Sequence, residues 1–342
     1  MSKIVYLGFL VLISILIGWT ICHLFKLNFK SVLERVLYCS GIGFGILGYV
    51  VAAIGTVGLL YKGVIYIILL LIVGMCVAVN IYLSGKPCII PHKIKISFLW
   101  EVIRNTVLSL RAKPLYGLLC FFLFCQALIY YIDALSPPTA HDVLAYHYLL
   151  PLHYIKNHAL APIEGLAQSF WPQHSECLYA LCMFIKGDIL ANHINYLCGI
   201  LILLSMCLFI GLQSPLVALL ALSFFFMQPV VSLAIMGSGN EIFFVLYFLL
   251  SVYAFLNWTK SHQKSWFVIS ALMVGFSLCC KHSGIILLFL LSLFFIYVLY
   301  FKQRLRLVSV LGTTVLFIFI ALLIVSPWYF RSYWLTGNPV YH

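Results

Sequence analysis

The chain reads as an all-α, polytopic integral membrane protein with about ten spanning helices and one large external loop carrying interfacial helices. Three observations predict this. Of its 342 residues 64 % are hydrophobic and only 8 % are charged, where a soluble domain is about one-quarter charged. Its mean hydropathy is +1.12. Apolar runs of about twenty residues, the length that crosses a bilayer as a helix, recur along it between short polar connections. A cytosolic enzyme, a secreted domain and a disordered chain are excluded on composition alone.

The first run, 4–25, follows Met1-Ser2-Lys3. It is longer than the apolar region of a signal peptide and no small-x-small cleavage site follows, so it reads as a helix. Further spans are expected at 36–60, 63–83, 115–132, 189–211, 215–235, 242–258, 266–280, 284–301 and 307–327. The run 266–280 is short and Lys281-His282 interrupts it, which leaves one broken helix as a competing reading. Residues 1–114 form a three-helix extension ending in a basic loop, and 115–342 a membrane domain containing the external loop 133–188. The 12 cysteines lie almost all inside apolar runs, with no C-x-x-C. That pattern belongs to buried free thiols, not to a disulfide framework or a zinc ribbon.

Lysine and arginine set membrane orientation. With loops 26–35, 84–114, 212–214, 259–265 and 302–306 inside, only Lys3, Lys62, Lys156, Lys186, Lys281 and Arg331 remain outside. Both termini then face outward. The net charge of +12 is thereby a topogenic signal and implies no nucleic acid. Among the acids only Glu34 and Glu101 fall inside, whereas Asp133, Asp142, Glu164, Glu176, Asp188 and Glu241 fall outside. Acids contribute little to insertion, so their gathering on one face points to chemistry there.

In the external loop, Pro137-Pro138 ends the preceding helix. A helix over 142–157 is expected next, with Asp142 at its N-terminus, where a carboxylate is favoured. Leu144, Leu149, Leu150, Leu152 and Ile155 give it an apolar side; Tyr146, His147, His153 and Lys156 give it a polar one. It suits the membrane interface, and Pro151 is expected to bend it. After Phe170-Trp171-Pro172 a second interfacial or re-entrant helix is expected over 176–186, with Glu176 in its first turn. His141, His147, His153, His158 and His174 form no H-x-x-x-H pair, so no ligand spacing demands a metal. Glu241 closes a Gly237-Ser-Gly-Asn-Glu turn that lets backbone approach a ligand.

At this loop the sequence resembles the GT-C superfamily of polytopic glycosyltransferases, in particular the bacterial protein O-mannosyltransferase and aminoarabinose-transferase type (family 39-like). Asp142-Val-Leu-Ala-Tyr-His147 is similar to their D-x-L-x-Y-H segment, and Pro172-Gln-His-Ser-Glu176-Cys-Leu-Tyr179 to P-x-x-x-E-x-L-Y. Lys281-His-Ser-Gly284 is similar to K-x-x-G, and Ser326-Pro-Trp-Tyr-Phe-Arg331 with Thr336-Gly-Asn-Pro339 to s-P-W-y-x-R and T-G-N-P. The likeness covers about 115–342. Three helices precede it, and the chain ends just after Asn338-Pro339, where such proteins continue with further helices.

The resemblance implies inverting transfer of a sugar from a polyprenyl-phosphate donor to an extracytoplasmic lipid, polysaccharide or protein acceptor, at the outer face of a bacterial plasma membrane. It implies Asp142 as the general base, Lys281 and Arg331 as cations for the donor phosphate, and Tyr146, His147, Glu176 and Glu241 as the rim of the site. Glu241 would orient the acceptor, a sugar hydroxyl or Lys281. No cofactor is required; a divalent metal, used by some members, has no dedicated ligand motif here. Two competing readings are a transporter or flippase of a lipid-linked saccharide, disfavoured by the scarcity of ionisable residues within the spans, and a shortened, non-catalytic relative.

Overall fold

The computed structural model describes residues 3–84, 114–210 and 215–341, together with their side chains except those of Ser84, Ile210 and Pro215. The basic loop expected between the third and fourth helices, with Glu101, and residues 212–214 lie outside the described residues. Among the described residues the chain is helical throughout, with no strand. In order the helices are α1 Lys3–Leu24, α2 Val32–Thr56, α3 Lys62–Ser84, α4 Pro114–Ala134, α5 Leu149–Asn157, α6 His174–Lys186, α7 Asp188–Ile210, α8 Pro215–Met227, α9 Pro229–Met236, α10 Glu241–Ser261, α11 Lys264–Cys280, α12 Gly284–Ile296 and α13 Leu307–Thr336. Single π-helical turns occupy Val143–His147 and Tyr297–Lys302, and a 3₁₀ turn Ala167–Phe170.

Eight helical spans among the described residues, one of them α12 continued through the π turn to Lys302, are long and apolar enough to cross a membrane, and the protein is a multi-pass integral membrane protein. Their outer faces carry large apolar side chains such as Phe9, Leu70, Phe121, Phe289 and Phe319, each more than half exposed. Water would not tolerate that much apolar surface, but lipid does.

Two expected spans differ from a straight crossing. The run 215–235 bends by 69° between α8 and α9. Pro229 is the cause: it lacks an N–H for a continuing helix but suits the first position of a new one. The run 266–280 is the 17-residue α11, a core helix buried along most of its length. The turn Lys281–Ser283 separates it from α12, so these are two helices and not one broken one.

Helices α2, α6, α7, α10 and α11 form the centre. α1 packs along α2, α10 pairs with α11, and α13 lies against α11. Helix α2 can sit so deep because its packing faces are small. A Cβ on Gly43 would come within 2.0 Å of the Ser14 carbonyl oxygen, and one on Gly18 within 2.0 Å of that of Cys39. The α1 and α2 backbones therefore touch, the packing that glycines permit in membranes.

The external segment differs from the expectation in two places. Residues 142–157 are not one helix: a π turn precedes α5, and Asp142 already has helical dihedrals and makes no capping hydrogen bond. Pro151 lies in the first turn of α5, where no hydrogen bond is lost. The second segment, α6, is not at the surface. From His174 to Cys182 every side chain is buried, because α2, α5, α7 and α11 surround it.

The connections gather at two ends of the bundle. At one end Leu60 N–H donates to the His158 carbonyl, Asn192 Nδ2 to Ser136 O, Asn240 Nδ2 to Cys280 O, and Phe170 packs on Tyr341. At the other, Lys30 Nζ donates to Asn257 Oδ1, the Tyr253 hydroxyl to Glu34, and Gln303 lies beside His262. This grouping is the one the lysine and arginine distribution predicts.

Candidate functional site

At the first of these ends the π turn, α6, the Gly237–Asn240 turn and the Lys281 turn meet. His147 is the last residue of the π turn, and the extra residue per turn places it inward, on the buried side. Its Nδ1–H donates to Glu176 Oε1 at 2.7 Å, and both side chains are 2 % exposed. Glu176 arrives from the first turn of α6, and its second oxygen is buried without a hydrogen-bond partner. A carboxylate in that setting needs its one partner: a buried charge left alone costs several kcal/mol.

Beyond His147 lies a second acid. A Cβ on Gly239 would meet Glu241 Oε2 at 2.3 Å and His147 Nε2 at 3.6 Å, so this turn lies directly over both side chains. The turn is held by the Tyr179 hydroxyl, which donates to the Gly239 carbonyl at 2.8 Å, and by Asn240, which bonds the end of α11. Glu241 Oε1 in turn accepts from Lys281 Nζ at 2.7 Å, a pair about 40 % exposed. The order in space is therefore Glu176, His147, Glu241, Lys281: a line of polar groups running from the core to the opening.

Asp142 stands at the outside of this line. Its side chain is 70 % exposed, with His141 Nδ1 3.3 Å away. Tyr146 lies one turn on, near enough for the Asp142 charge to act on its hydroxyl. Burial first, then the negative charges of Asp142, Glu241 and Glu176, push the Tyr146 hydroxyl up to about 12, so it remains a proton donor at neutral pH. Its ring leans on Trp171, Trp171 meets His282, and His282 stacks on Tyr329 of α13. This aromatic row joins the external segment to the Lys281 turn.

Six of the seven nominated residues thus share one site: Asp142, Tyr146, His147, Glu176, Glu241 and Lys281. His147 and Glu176, expected at the rim, form its buried floor. Arg331 does not join them. Its guanidinium donates to the Ser169 and Leu160 carbonyls at 2.9 and 3.1 Å and lines a separate cavity of about 780 Å³ between α2, α13 and residues 159–162, walled mainly by Tyr49, Trp328 and Trp334. Lys281 and Glu241 instead border a smaller cavity of about 250 Å³, walled by apolar side chains of α9 and α10 such as Val230, Ala234 and Val245. Among the described residues no three His, Cys, Asp or Glu side chains are grouped to hold a metal ion.

Sequence reasoning passed over Asn192 and Asn195 on α7. Asn192 accepts from the Ser238 hydroxyl at 3.1 Å, and Asn195 donates to the Ile235 carbonyl at 2.6 Å, with its Oδ1 3.0 Å from the Tyr179 hydroxyl. Together they fasten the Glu241 turn. Their signal was present: two asparagines three apart at the start of an otherwise apolar helix.

Comparison with protein-family models, with curated proteins and with solved structures gave no match for this chain.

Proposed function

We propose that the protein is a glycosyltransferase of GT-C type that moves a sugar from a polyprenyl-phosphate donor to an extracytoplasmic acceptor with inversion. The observation that carries this reading is the meeting of an exposed carboxylate, Asp142, with a graded line of acid, histidine and lysine beside an apolar cavity. Transfer needs a base that takes the acceptor's proton as its oxygen or nitrogen attacks the anomeric carbon. Asp142 is 70 % exposed and so accessible to an acceptor from water.

The bond from the anomeric carbon to the phosphate oxygen breaks as the new one forms, and the phosphate leaves with the electron pair. A cation must meet that charge. Lys281 fills this role beside the apolar cavity, where a prenyl chain would lie, and Glu241 holds its ammonium in place. Arg331 faces the larger, separate cavity and is bonded to the Ser169 and Leu160 carbonyls, so the phosphate role in this step rests on Lys281 alone. His147, pinned by Glu176, positions Glu241 and does not touch the substrate.

The test is a glycan and lipid comparison by mass spectrometry among cells lacking the protein, cells with the wild type and cells with Asp142→Asn. Loss of one defined sugar, restored by wild type and not by the variant, is the expected result. Equal rescue by both would remove Asp142 from the chemistry, and an unchanged glycan profile would overturn the transferase reading.

A further inference from the structure

The opposite end of the bundle holds a cavity that the proposed reaction does not use. It has a volume of about 380 Å³ and lies in the turn between α1 and α2, bordered by Trp19, His23, Lys26, Asn28, Phe29 and Arg35. The Arg35 guanidinium lies 5.1 Å above the Trp19 ring, and its buried Nε has no hydrogen-bond acceptor. His23 is held by Asn80, 3.3 Å away. Lys26 adopts a left-handed backbone conformation, φ 51°, which closes the turn on the cavity side.

The nearest acid on this turn does not offset these charges. Glu34 is committed elsewhere: it accepts from the Lys30 backbone N–H and from the Tyr253 hydroxyl, both at 2.6 Å. Among the described residues no carboxylate lies within ion-pair distance of Arg35 or Lys26. Two cations and a histidine therefore converge on a space that holds no counter-charge among the described residues.

We infer that this cavity binds the phosphate group of an anionic membrane lipid. Its depth fits, because a turn joining two spanning helices lies at headgroup level. Arg35 offers a planar fork for phosphate oxygens and Lys26 a point charge. Leu24 and Phe25, 51 % and 44 % exposed, lie directly beside it and give acyl chains an apolar shoulder, which a free phosphate would not need. Basic pockets between helices at a membrane surface hold lipid headgroups in this way. The site does not depend on the glycosyltransferase reading, and its test reads no transfer.

Native mass spectrometry of the full chain released from micelles doped with phosphatidylglycerol or phosphatidylcholine tests it. The wild type is expected to retain phosphatidylglycerol above phosphatidylcholine, and Arg35→Gln and Lys26→Gln each to lower retention about five-fold. Lys156→Gln, an exposed lysine of α5 at the other end, is expected to change nothing. Lys26 is exposed and outside the core, so that variant decides the matter even where Arg35→Gln fails to fold. Equal retention of the two lipids, undiminished retention in Lys26→Gln, or an equal loss in Lys156→Gln would overturn the site. Displacement by excess inorganic phosphate would assign the cavity to a soluble anion and overturn the lipid.

Discussion

Asp142 and His147 are five positions apart and stand in opposite environments, and their substitutions should separate accordingly. Asp142 is 70 % exposed, so Asp142→Asn should leave the unfolding midpoint in detergent within ~0.5 kcal/mol of wild type while sugar transfer falls about a hundred-fold or more. His147→Ala would strip the buried Glu176 of its partner and should cost roughly 3 kcal/mol. Lys281→Ala breaks a pair about 40 % exposed, where solvent screening limits the loss to ~1 kcal/mol. Thermal unfolding of the two alanine variants checks the order, and equal losses would contradict the buried floor. His174 adds a pH dependence. Its ring packs among Tyr49, Tyr247 and Phe276, neither nitrogen has a hydrogen-bond partner, and burial pulls its pKa down to about 3. The unfolded chain takes up a proton near pH 6.5 that the folded chain refuses, so this stability is whole above pH 6.5 and is lost as pH falls from there toward 3. Unfolding of His174→Phe should show a flatter acid limb than wild type.

The helices differ in how much of their placement the residues announce. Spans such as α1, α3 and α10 were legible because twenty apolar residues in a row have few other uses. Helix α6 was not. Eleven residues with Glu176 and Lys186 at their ends have the pattern of a surface helix, and only α2 and α7 closing around it make it core. The π turn was equally hidden, since Asp142 to Asn157 has ordinary helical spacing and the additional residue per turn is decided by packing. It is that turn that carries His147 onto Glu176, 29 positions away, so the site's composition could be read while its depth could not. The pairing of Lys281 with Glu241 was among the roles foreseen for Glu241; the separation of Arg331 was not, because two cations at helix ends carry no information about which cavity each faces. At this scale α1 and α2 give the sharpest prediction. Gly43→Val would force the two backbones apart against the Ser14 carbonyl and should destabilise the protein by about 2 kcal/mol or more, whereas Gly8→Val, with no atom within 4 Å of a Cβ, should leave the midpoint unchanged.

The whole molecule is organised by a sorting of charge along its long axis. One end holds Asp142, Glu176, Glu241 and Lys281 with the external segment; the other holds Lys26, Lys30, Arg35, Lys260, Lys264 and Lys302. The charge rule reads the second end as cytoplasmic, and the fold independently brings the members of each group together. On the proposed reading, a base exposed at the Asp142 end would meet acceptors from outside, and a donor carried on lipid would reach Lys281 sideways through the bilayer. Orientation is therefore the property on which the functional reading stands, and it can be measured without any substrate. Cysteines placed at Glu164 and at Gln263, both exposed and at opposite ends, should react differently with a membrane-impermeant maleimide in intact cells. Glu164→Cys should label above the wild-type chain, whose described cysteines are buried or half-buried, and Gln263→Cys should label only after the membrane is permeabilised. The reverse pattern would put Asp142 on the cytoplasmic side, where soluble nucleotide sugars are available. A lipid-linked donor would then lose its rationale even with every contact in the site unchanged.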